Sequence, residues 1–288
     1  MSTSTNVEVE SSGDRLRTLA AEQMDSKSKT PLGVYVFAQD DPGAELARWV
    51  EAEVFLETFG NTREQLQIEY APYDGRTVFL CVIDHLRKMP AASMRVIIPT
   101  VDGRLSKTLD DMERYWGISP AAATIRDGVP FPFFNTWDIA TLAVSQSHQG
   151  KATAGIVSMA LYEAYVRGSS ECGYDYVVAV LDKRAYRFAN WIFRETWAPF
   201  DGADAVPYLG SPASLPVWSQ LSDWGARLKD GEGNLHELIF ESRGFENVVE
   251  LAPPGELSRL ARRVLDSPLS EAPVIDLRDH TSVEATQP

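Results

Sequence analysis

The stretch that decides the fold reads Asn135-Thr-Trp-Asp-Ile-Ala-Thr-Leu-Ala-Val144, followed by Ser145-Gln-Ser-His-Gln-Gly-Lys-Ala-Thr-Ala-Gly155. The first part predicts a buried strand over residues 137–144, and the second is a turn of small residues that leads into an amphipathic helix over 152–167. A further strand at 174–181 and a further helix at 184–196 follow. Main-chain N–H groups at the start of a helix have no partner within that helix, so a turn of this kind can hold a phosphate group.

On either side of this stretch, apolar runs alternate with helical patterns. Upstream, strands are predicted at residues 33–38, 77–84 and 91–99, and helices at 44–59 and 106–116. The short link between the second and third of these strands predicts an antiparallel hairpin. Downstream, a strand at 215–221 and a helix at 254–265 are predicted, while residues 235–240 fit either a helical turn or a strand.

Composition divides the chain into four parts. Residues 1–30 are polar, with a weak helical pattern at residues 14–24, and predict a disordered or loose N-terminal arm. Residues 31–225 carry the strand and helix patterns of one α/β domain. Residues 226–268 predict a partly helical C-terminal extension, and the acidic, proline-containing residues 269–288 predict a disordered tail.

The 288 residues carry a formal net charge of −14, which argues against a protein that binds nucleic acid through general attraction to phosphate. Several cations nevertheless fall in or just after the opening stretch. They are Lys151, Lys183, Arg184, Arg187 and Arg194. This group fits either a site for an anionic ligand or a solvated helix face.

No segment is apolar for long enough to predict a membrane span. The two cysteines, Cys81 and Cys172, show neither the spacing of a metal site nor a disulfide framework. We therefore expect no bound metal and a reducing, cytoplasmic location.

The element order resembles that of the GNAT acyltransferases. The phosphate turn of that family reads Val-x-Pro-x-x-[Arg/Gln]-Gly-x-Gly-x-[Gly/Ala], and Gln149, Gly150 and Ala154 fit this pattern. Gln146 replaces the proline, and Ala152 replaces the central glycine. The resemblance implies an α/β GNAT fold with a mixed central sheet splayed between its fourth and fifth strands, helices on both faces and a C-terminal extension.

The same resemblance implies where an acyl donor binds. Backbone N–H groups of the fourth strand and of the turn are expected to hold the pantetheine amides and the phosphates of an acyl thioester. The residues implied are Ala143, Val144, Gln149, Gly150, Lys151, Ala152, Thr153 and Ala154.

A finer resemblance lies upstream, to the acyl-homoserine-lactone synthases and the long-chain N-acyl amino acid synthases. Those families carry Glu-x-Asp-x-x-Asp, then an arginine on the following hairpin, then an acid on the strand before the phosphate turn. Glu69, Asp74, Arg95 and Asp138 stand at matching positions, whereas Ala71 replaces the middle acid. The resemblance implies that these four matching residues form the catalytic site.

Two of these residues have both a chemical and a structural interpretation. Asp138 is an acid in an apolar strand, where burial raises a carboxyl pKa, so it fits either a base that takes the amine proton or a structural cap. Arg95 lies mid-strand and needs an acid partner, for which Glu69, Asp74 or Asp138 could serve. Such an ion pair either shapes the acceptor pocket or acts directly. Ala189 stands where many GNAT enzymes place the tyrosine that protonates the leaving thiolate.

The expected function is N-acyl transfer, in which a small amine directly attacks an acyl thioester carried by CoA or by acyl carrier protein. No permanently bound cofactor is expected. Three alternatives stay open: an acetyl-CoA-dependent N-acetyltransferase, a non-catalytic acyl-CoA-binding or regulatory protein on the same fold, and an interaction protein with an acidic surface. An acidic carrier protein needs a basic docking patch, which the cations after the turn could provide.

Overall fold

The computed structural model describes residues 4–24, 28–100 and 104–266, without the side chains of residues 4–12 and 151–154. The helices are α1 (Ser4–Gln23), α2 (Ala44–Phe59), α3 (Arg63–Tyr70), α4 (Lys107–Asp111), α5 (Lys151–Cys172), α6 (Lys183–Ile192), α7 (Leu221–Lys229), α8 (Leu235–Glu241) and α9 (Glu256–Asp266). The strands are β1 (Leu32–Ala38), β2 (Thr77–Asp84), β3 (Met89–Ile97), β4 (Thr124–Ile125), β5 (Val129–Pro130), β6 (Thr136–Val144), β7 (Tyr176–Asp182), β8 (Ala198–Pro199), β9 (Val206–Tyr208), β10 (Ser211–Gln220) and β11 (Val249–Glu250).

Nine strands of the described residues form one mixed sheet in the order β11-β1-β2-β3-β6-β7-β10-β8, with β9 paired to β10. Strands β1, β2, β3 and β6 are antiparallel neighbours. Strand β7 lies parallel to β6 and antiparallel to β10. The α/β fold with a mixed central sheet is therefore confirmed, as is the predicted antiparallel hairpin.

Alternate side chains of the central strands face opposite layers of helices. On β2, Leu80 and Val82 join the apolar cluster that contains α5, α8 and α9. Phe79 and Ile83 join a second cluster with α1 and α2. Both sets are fully buried, as a strand covered on its two faces requires. Helices on both faces of the sheet are confirmed.

The N-terminal segment departs from the predicted loose arm. Residues 4–23 form α1, and its Leu16 and Ala20 are buried against the layer of α2. The helical pattern at residues 14–24 was weak because only two apolar side chains, one turn apart, make the buried contact.

Two further helices had no predicted counterpart. Helix α3 starts with a reciprocal cap, in which the Gln65 N–H donates to Thr62 Oγ1 and the Thr62 N–H donates to Gln65 Oε1. Helix α7 begins directly after β10. Helix α6 ends at Ile192, earlier than predicted, because Arg194 and Glu195 both take positive φ angles that a helix cannot continue.

The predicted C-terminal extension belongs to the main core. Its Ile239, Phe245 and Ala261 are buried in the cluster that covers the sheet, and β11 pairs in parallel with β1. The predicted tail, residues 269–288, lies outside the described residues. Among the helices that are described, none combines the length and the hydropathy needed to cross a membrane.

Candidate active site

An apolar cavity lies between β6 and β7, the fourth and fifth strands of the sequence prediction. In the described chain these strands pair only at residues 136–138 against 176–178. Beyond that point, residues 139–142 and 179–182 line a cavity of about 300 Å³. Side chains of α2, α5 and α6 close its sides: Val54, Phe55, Phe59, Tyr162, Ala185, Phe188 and Ala189. The pairing of β6 with β7 therefore ends at Asp138 and Val178, and the cavity lies beyond it.

Helix α5 begins at the end of the small-residue turn with an open N-terminus. Gly150 is the N-cap residue and provides no side-chain cap, and a Cβ added there would meet no atom within 4 Å. The side-chain amide of Gln149 does not cap the helix and instead donates from its Nε2 to the Val144 carbonyl oxygen at 3.0 Å. The first N–H groups of α5 thus lack a side-chain cap, which is the condition for phosphate binding at a helix start.

The other predicted donor-binding residues occupy two places. Ala143 is buried and pairs with Ser93 of β3, so it belongs to the sheet. The predicted side chains at the start of α5 lie outside the described residues, although their main chain forms the first turn of that helix. They are Lys151, Ala152, Thr153 and Ala154.

His148 ties the phosphate turn to the end of β2. Its ring is buried, and its Nε2 lies 3.0 Å from Asp84 Oδ2 while its Nδ1 lies 2.8 Å from Ser147 Oγ. Arg87, on the hairpin turn, lies 3.8 Å from the same Asp84 oxygen. The buried His148 ring therefore connects the turn to the end of β2.

Asp138 is fully buried and is not part of the cavity lining. Its carboxylate accepts hydrogen bonds from Ser106 Oγ at 2.7 Å and from the N–H and Oγ1 of Thr108, each at 2.8 Å. Burial raises the pKa of Asp138 to about 6, although these donors oppose the shift. The contacts match the structural interpretation of Asp138, because they fix the start of α4 on β6 and leave no exposed oxygen for an amine.

Arg95 forms its ion pair with Glu51 of α2. Its Nε and one terminal nitrogen donate to the two carboxylate oxygens at 2.9 and 2.6 Å. The Thr141 hydroxyl donates to the same carboxylate. The guanidinium also lies 4.1 Å from the centre of the Tyr70 ring and 4.7 Å from that of Phe79.

The hydrogen-bonded ion pair of Arg95 is therefore with Glu51 and not with the predicted Glu69 or Asp138. Asp74, the third predicted partner, shares a pocket with Arg95 and interacts with it electrostatically. Glu51 went unnoticed because it lies 44 residues away in sequence. A local signal existed, since Glu51 follows the buried Ala47 by four residues and continues the buried face of α2. A carboxylate on such a face requires a buried partner.

Glu69 belongs to a buried ion cluster that borders the cavity. Lys107 Nζ donates to Glu69 Oε1 and to Asp111 Oδ2, both at 2.6 Å, and the Tyr208 hydroxyl donates to Asp111. Burial alone lowers the pKa of Lys107, but the two carboxylates raise it above its usual value. Lys107 and Tyr208 both line the cavity, so this cluster forms its polar wall.

A second, polar pocket of about 260 Å³ lies next to the cavity, and Tyr70 lines both. The charged groups of its lining are Arg48, Arg63, Arg95, Glu45, Glu51 and Asp74. Burial raises the pKa of Asp74, while Arg95 and Arg48 oppose that shift. The structure therefore brings the predicted residues Asp74 and Arg95 to one pocket and places Glu69 and Asp138 outside its lining.

Ala189 lines the cavity at the position where the family resemblance expects a tyrosine. Tyr186, on the preceding turn of α6, donates its hydroxyl to the Trp197 carbonyl at 3.3 Å. The cavity lining holds other tyrosines at Tyr70, Tyr162 and Tyr208, and burial raises the pKa of each. These hydroxyls keep their protons at neutral pH.

No protein-family profile matches the chain, and no curated protein matches it in sequence. Solved structures do resemble it. One is a CoA-dependent acyl-homoserine lactone synthase, BjaI, solved with SAM and isopentyl-CoA, at 13% identity over 80% of this chain and 98% of that one, with a TM-score of 0.47.

Two other solved structures are similar to the chain. FeeM, an N-acyl amino acid synthase from uncultured soil microbes, has 10% identity over 68% of this chain and 93% of its own, with a TM-score of 0.47. A spermidine N-acetyltransferase from Vibrio cholerae, in complex with CoA and spermine, has 9% identity over 66% and 97%, with a TM-score of 0.38.

Proposed function

We propose that the protein is an N-acyltransferase that moves an acyl group from an acyl thioester to a small amine. The observation that carries the proposal is the gap between β6 and β7, which opens into an apolar cavity bordered by main-chain groups of both strands. An acyl thioester needs these two features together, because its pantetheine amides require hydrogen bonds and its acyl chain requires an apolar surface.

The donor is proposed to enter at the open start of α5 and to extend along the gap. The helix N-terminus would hold the phosphate groups of the donor, whether it is acyl-CoA or acyl carrier protein. The apolar side chains of the cavity favour an acyl chain longer than acetyl, which distinguishes this proposal from an ordinary N-acetyltransferase. The bound ammonium group first gives one proton to solvent. The neutral amine nitrogen then attacks the thioester carbonyl, the C–N bond forms, the C–S bond breaks, and the second amine proton passes to the leaving thiolate.

The polar pocket is proposed to bind the amine. It lies across Tyr70 from the cavity and carries both carboxylates and guanidinium groups. This mixture suits a small molecule with an ammonium group and a carboxylate. Asp74 is the carboxylate proposed to hold the ammonium group, since the nearby Glu51 is already engaged by Arg95 and Thr141.

The direct test measures binding and turnover separately. We expect octanoyl-CoA to bind more tightly than acetyl-CoA in calorimetry, and free thiol to appear only when an amine is added. A panel of amino acids and S-adenosylmethionine serves as the set of probe amines. A protein that binds octanoyl-CoA but releases no thiol with any of these amines would be a non-catalytic binder, and a protein that binds neither thioester would remove the donor site altogether.

Filling the cavity should weaken acyl binding. Ala185→Trp places an indole at the α6 side of the lining, and we expect its affinity for octanoyl-CoA to fall at least about tenfold, which is about 1.4 kcal/mol. The matched control is Ala226→Trp on the exposed surface of α7, which should bind like the wild type. Equal losses in the two variants would contradict the assignment of the cavity to the acyl chain.

Removing the charge of Asp74 should affect the amine and not the thioester. A hydrogen bond to a charged group contributes about 1.5–3 kcal/mol, so Asp74→Asn should raise the KM for the amine about tenfold or more. The KM for octanoyl-CoA should stay within about twofold of the wild-type value. Asp230→Asn, at the exposed end of α7, is the control. A rise in the thioester KM instead would place Asp74 on the donor side.

A further inference from the structure

The outer surface of α6 combines cations with exposed aromatic rings. We call this surface, formed by Lys183, Arg184, Arg187, Phe188 and Trp191, the α6 face. Phe188 is 58% exposed and Trp191 is 75% exposed. The two rings stack on each other with centroids 6.0 Å apart and planes 26° apart. Tryptophan is largely buried in most proteins, and neighbouring exposed aromatic rings indicate a surface that binds a partner.

The five side chains of the α6 face are neighbours on the helix surface. At about 100° per residue they fall within an arc of about 140°, with Trp191 in its middle and Phe188 at one border. The opposite side of the helix carries the buried Ala189 and Ile192. The helix is therefore amphipathic in an unusual way, because its outward side holds large rings as well as charge.

The three cations of the α6 face are available to a partner. Within the described residues, Lys183, Arg184 and Arg187 form no ion pair, and Arg187 Nε donates only to the Lys183 carbonyl oxygen at 3.1 Å. The acids next to α6 in sequence are Asp182, whose carboxylate accepts N–H groups of the first turn of α6, and the exposed Glu195. The face is thus locally cationic on a chain whose net charge is −14.

For a surface in contact with the α6 face, the charges of that face matter more than the net charge of the protein. The Debye length is about 8 Å at physiological ionic strength, so carboxylates elsewhere on the protein are largely screened from a surface that touches the α6 face. Each cation close to an anionic bilayer adds to the electrostatic attraction between the protein and that bilayer. Tryptophan and phenylalanine prefer the boundary between lipid headgroups and acyl chains.

We propose that the α6 face docks the protein on an anionic lipid bilayer. A convex helix with two projecting rings and three flexible cations matches a bilayer surface, whereas a folded protein partner would need a complementary groove. Phe188 is both exposed and part of the cavity lining, so the apolar cavity reaches the surface at the border of this face. Docking through α6 therefore brings the cavity opening to the lipid surface. The proposal is independent of whether acyl transfer occurs.

The test is sedimentation of the full-length protein with sucrose-loaded vesicles. We expect pelleting with an equal mixture of phosphatidylcholine and phosphatidylglycerol, little pelleting with phosphatidylcholine alone, and release at high salt. Neutralising two cations in the variant Lys183→Gln/Arg187→Gln should lower the partition coefficient at least about tenfold. Trp191→Ala should also lower the partition coefficient by about tenfold, because the variant transfers much less apolar surface from water into the bilayer.

Matched variants keep the test specific. Arg259→Gln/Arg262→Gln removes two exposed cations from α9 and should pellet like the wild type. Phe134→Ala removes another exposed ring, which is 68% exposed, and should also pellet like the wild type. Equal losses in the α9 and α6 variants would mean that total charge, and not this face, drives binding, and would overturn the proposal.

Two other results would also overturn it. If the wild type does not pellet with anionic vesicles but binds an acidic acyl carrier protein through the same cations, the face is a protein-docking surface. If the wild type ignores vesicles and Trp191→Ala converts a dimer to a monomer in light scattering, the face is an interface between two copies of the chain.

Discussion

Glu51→Ala should lower the free energy of unfolding by about 3–5 kcal/mol, because it leaves the Arg95 guanidinium buried without a counter-charge. The side chains of Glu51 and Arg95 are 2% and 4% exposed, so water reaches the unpaired guanidinium only through the adjoining polar pocket. Thr141 also loses the acceptor of its hydroxyl. Urea unfolding followed by circular dichroism measures the change.

The comparison with the double variant Glu51→Met/Arg95→Met isolates the cause. Replacing both charges by apolar groups of similar volume is often neutral or stabilising, so the double variant should lie within about 1 kcal/mol of the wild type. Arg63→Ala is the control for an exposed pair, since Arg63 is 51% exposed beside Glu45, and it should cost less than about 1 kcal/mol. A double variant as unstable as Glu51→Ala would show that packing, and not the unpaired charge, explains the loss.

Asp138 should make the protein lose stability as the pH rises from about 4 to about 6. Its pKa is about 6 in the folded chain and about 3.9 in an unfolded one. Because the folded state binds this proton more tightly, its contribution is fully present below about pH 4 and is lost as the pH passes about 6. A difference of about two units corresponds to about 3 kcal/mol.

The variant Asp138→Asn cannot titrate and should lack this slope. Urea unfolding at pH 4, 5, 6 and 7, with the variant curve subtracted from the wild-type curve, measures the contribution. Asp223→Asn, which alters an exposed ion pair with Arg126, should run parallel to the wild type. Wild-type and Asp138→Asn curves of equal slope would mean that the donors from Ser106 and Thr108 keep the carboxylate ionised throughout.

Most of the charged residues near the two pockets line the polar pocket, and few line the apolar cavity. The apolar cavity meets charge only at its wall, where Lys107 is neutralised by two carboxylates. The polar pocket next to it carries charges of both signs, which range from the buried pair of Glu51 and Arg95 to the exposed Arg63. Tyr70 separates the two. The proposed acyl chain and the proposed amine would therefore lie side by side without an unpaired charge being buried in the apolar space.

The sequence by itself determined the order of the main strands and the place of the small-residue turn before α5. The buried strands were readable because each is a short, nearly continuous apolar run, and burial on both faces requires such a run. The turn was readable because small residues between a strand and a helix are a local pattern. Arg95 and Asp138 were recognised as residues needing partners for the same local reason, since each interrupts an apolar strand.

Only the tertiary structure decided who those partners are. Glu51 reaches Arg95 because α2 packs across β3 and β6 with its buried face turned to the sheet, and neither the crossing nor the rotation of a helix is encoded in spacing. Asp138 meets Ser106 and Thr108 because α4 docks on β6 from a segment 30 residues earlier. The sequence indicated only the basic residues of the α6 face. The exposure of Trp191 depends on which side of α6 packs against the core, and the sequence does not give that. Periodicity is a property of neighbours along the chain, whereas ion pairs and exposed faces depend on contacts between distant segments.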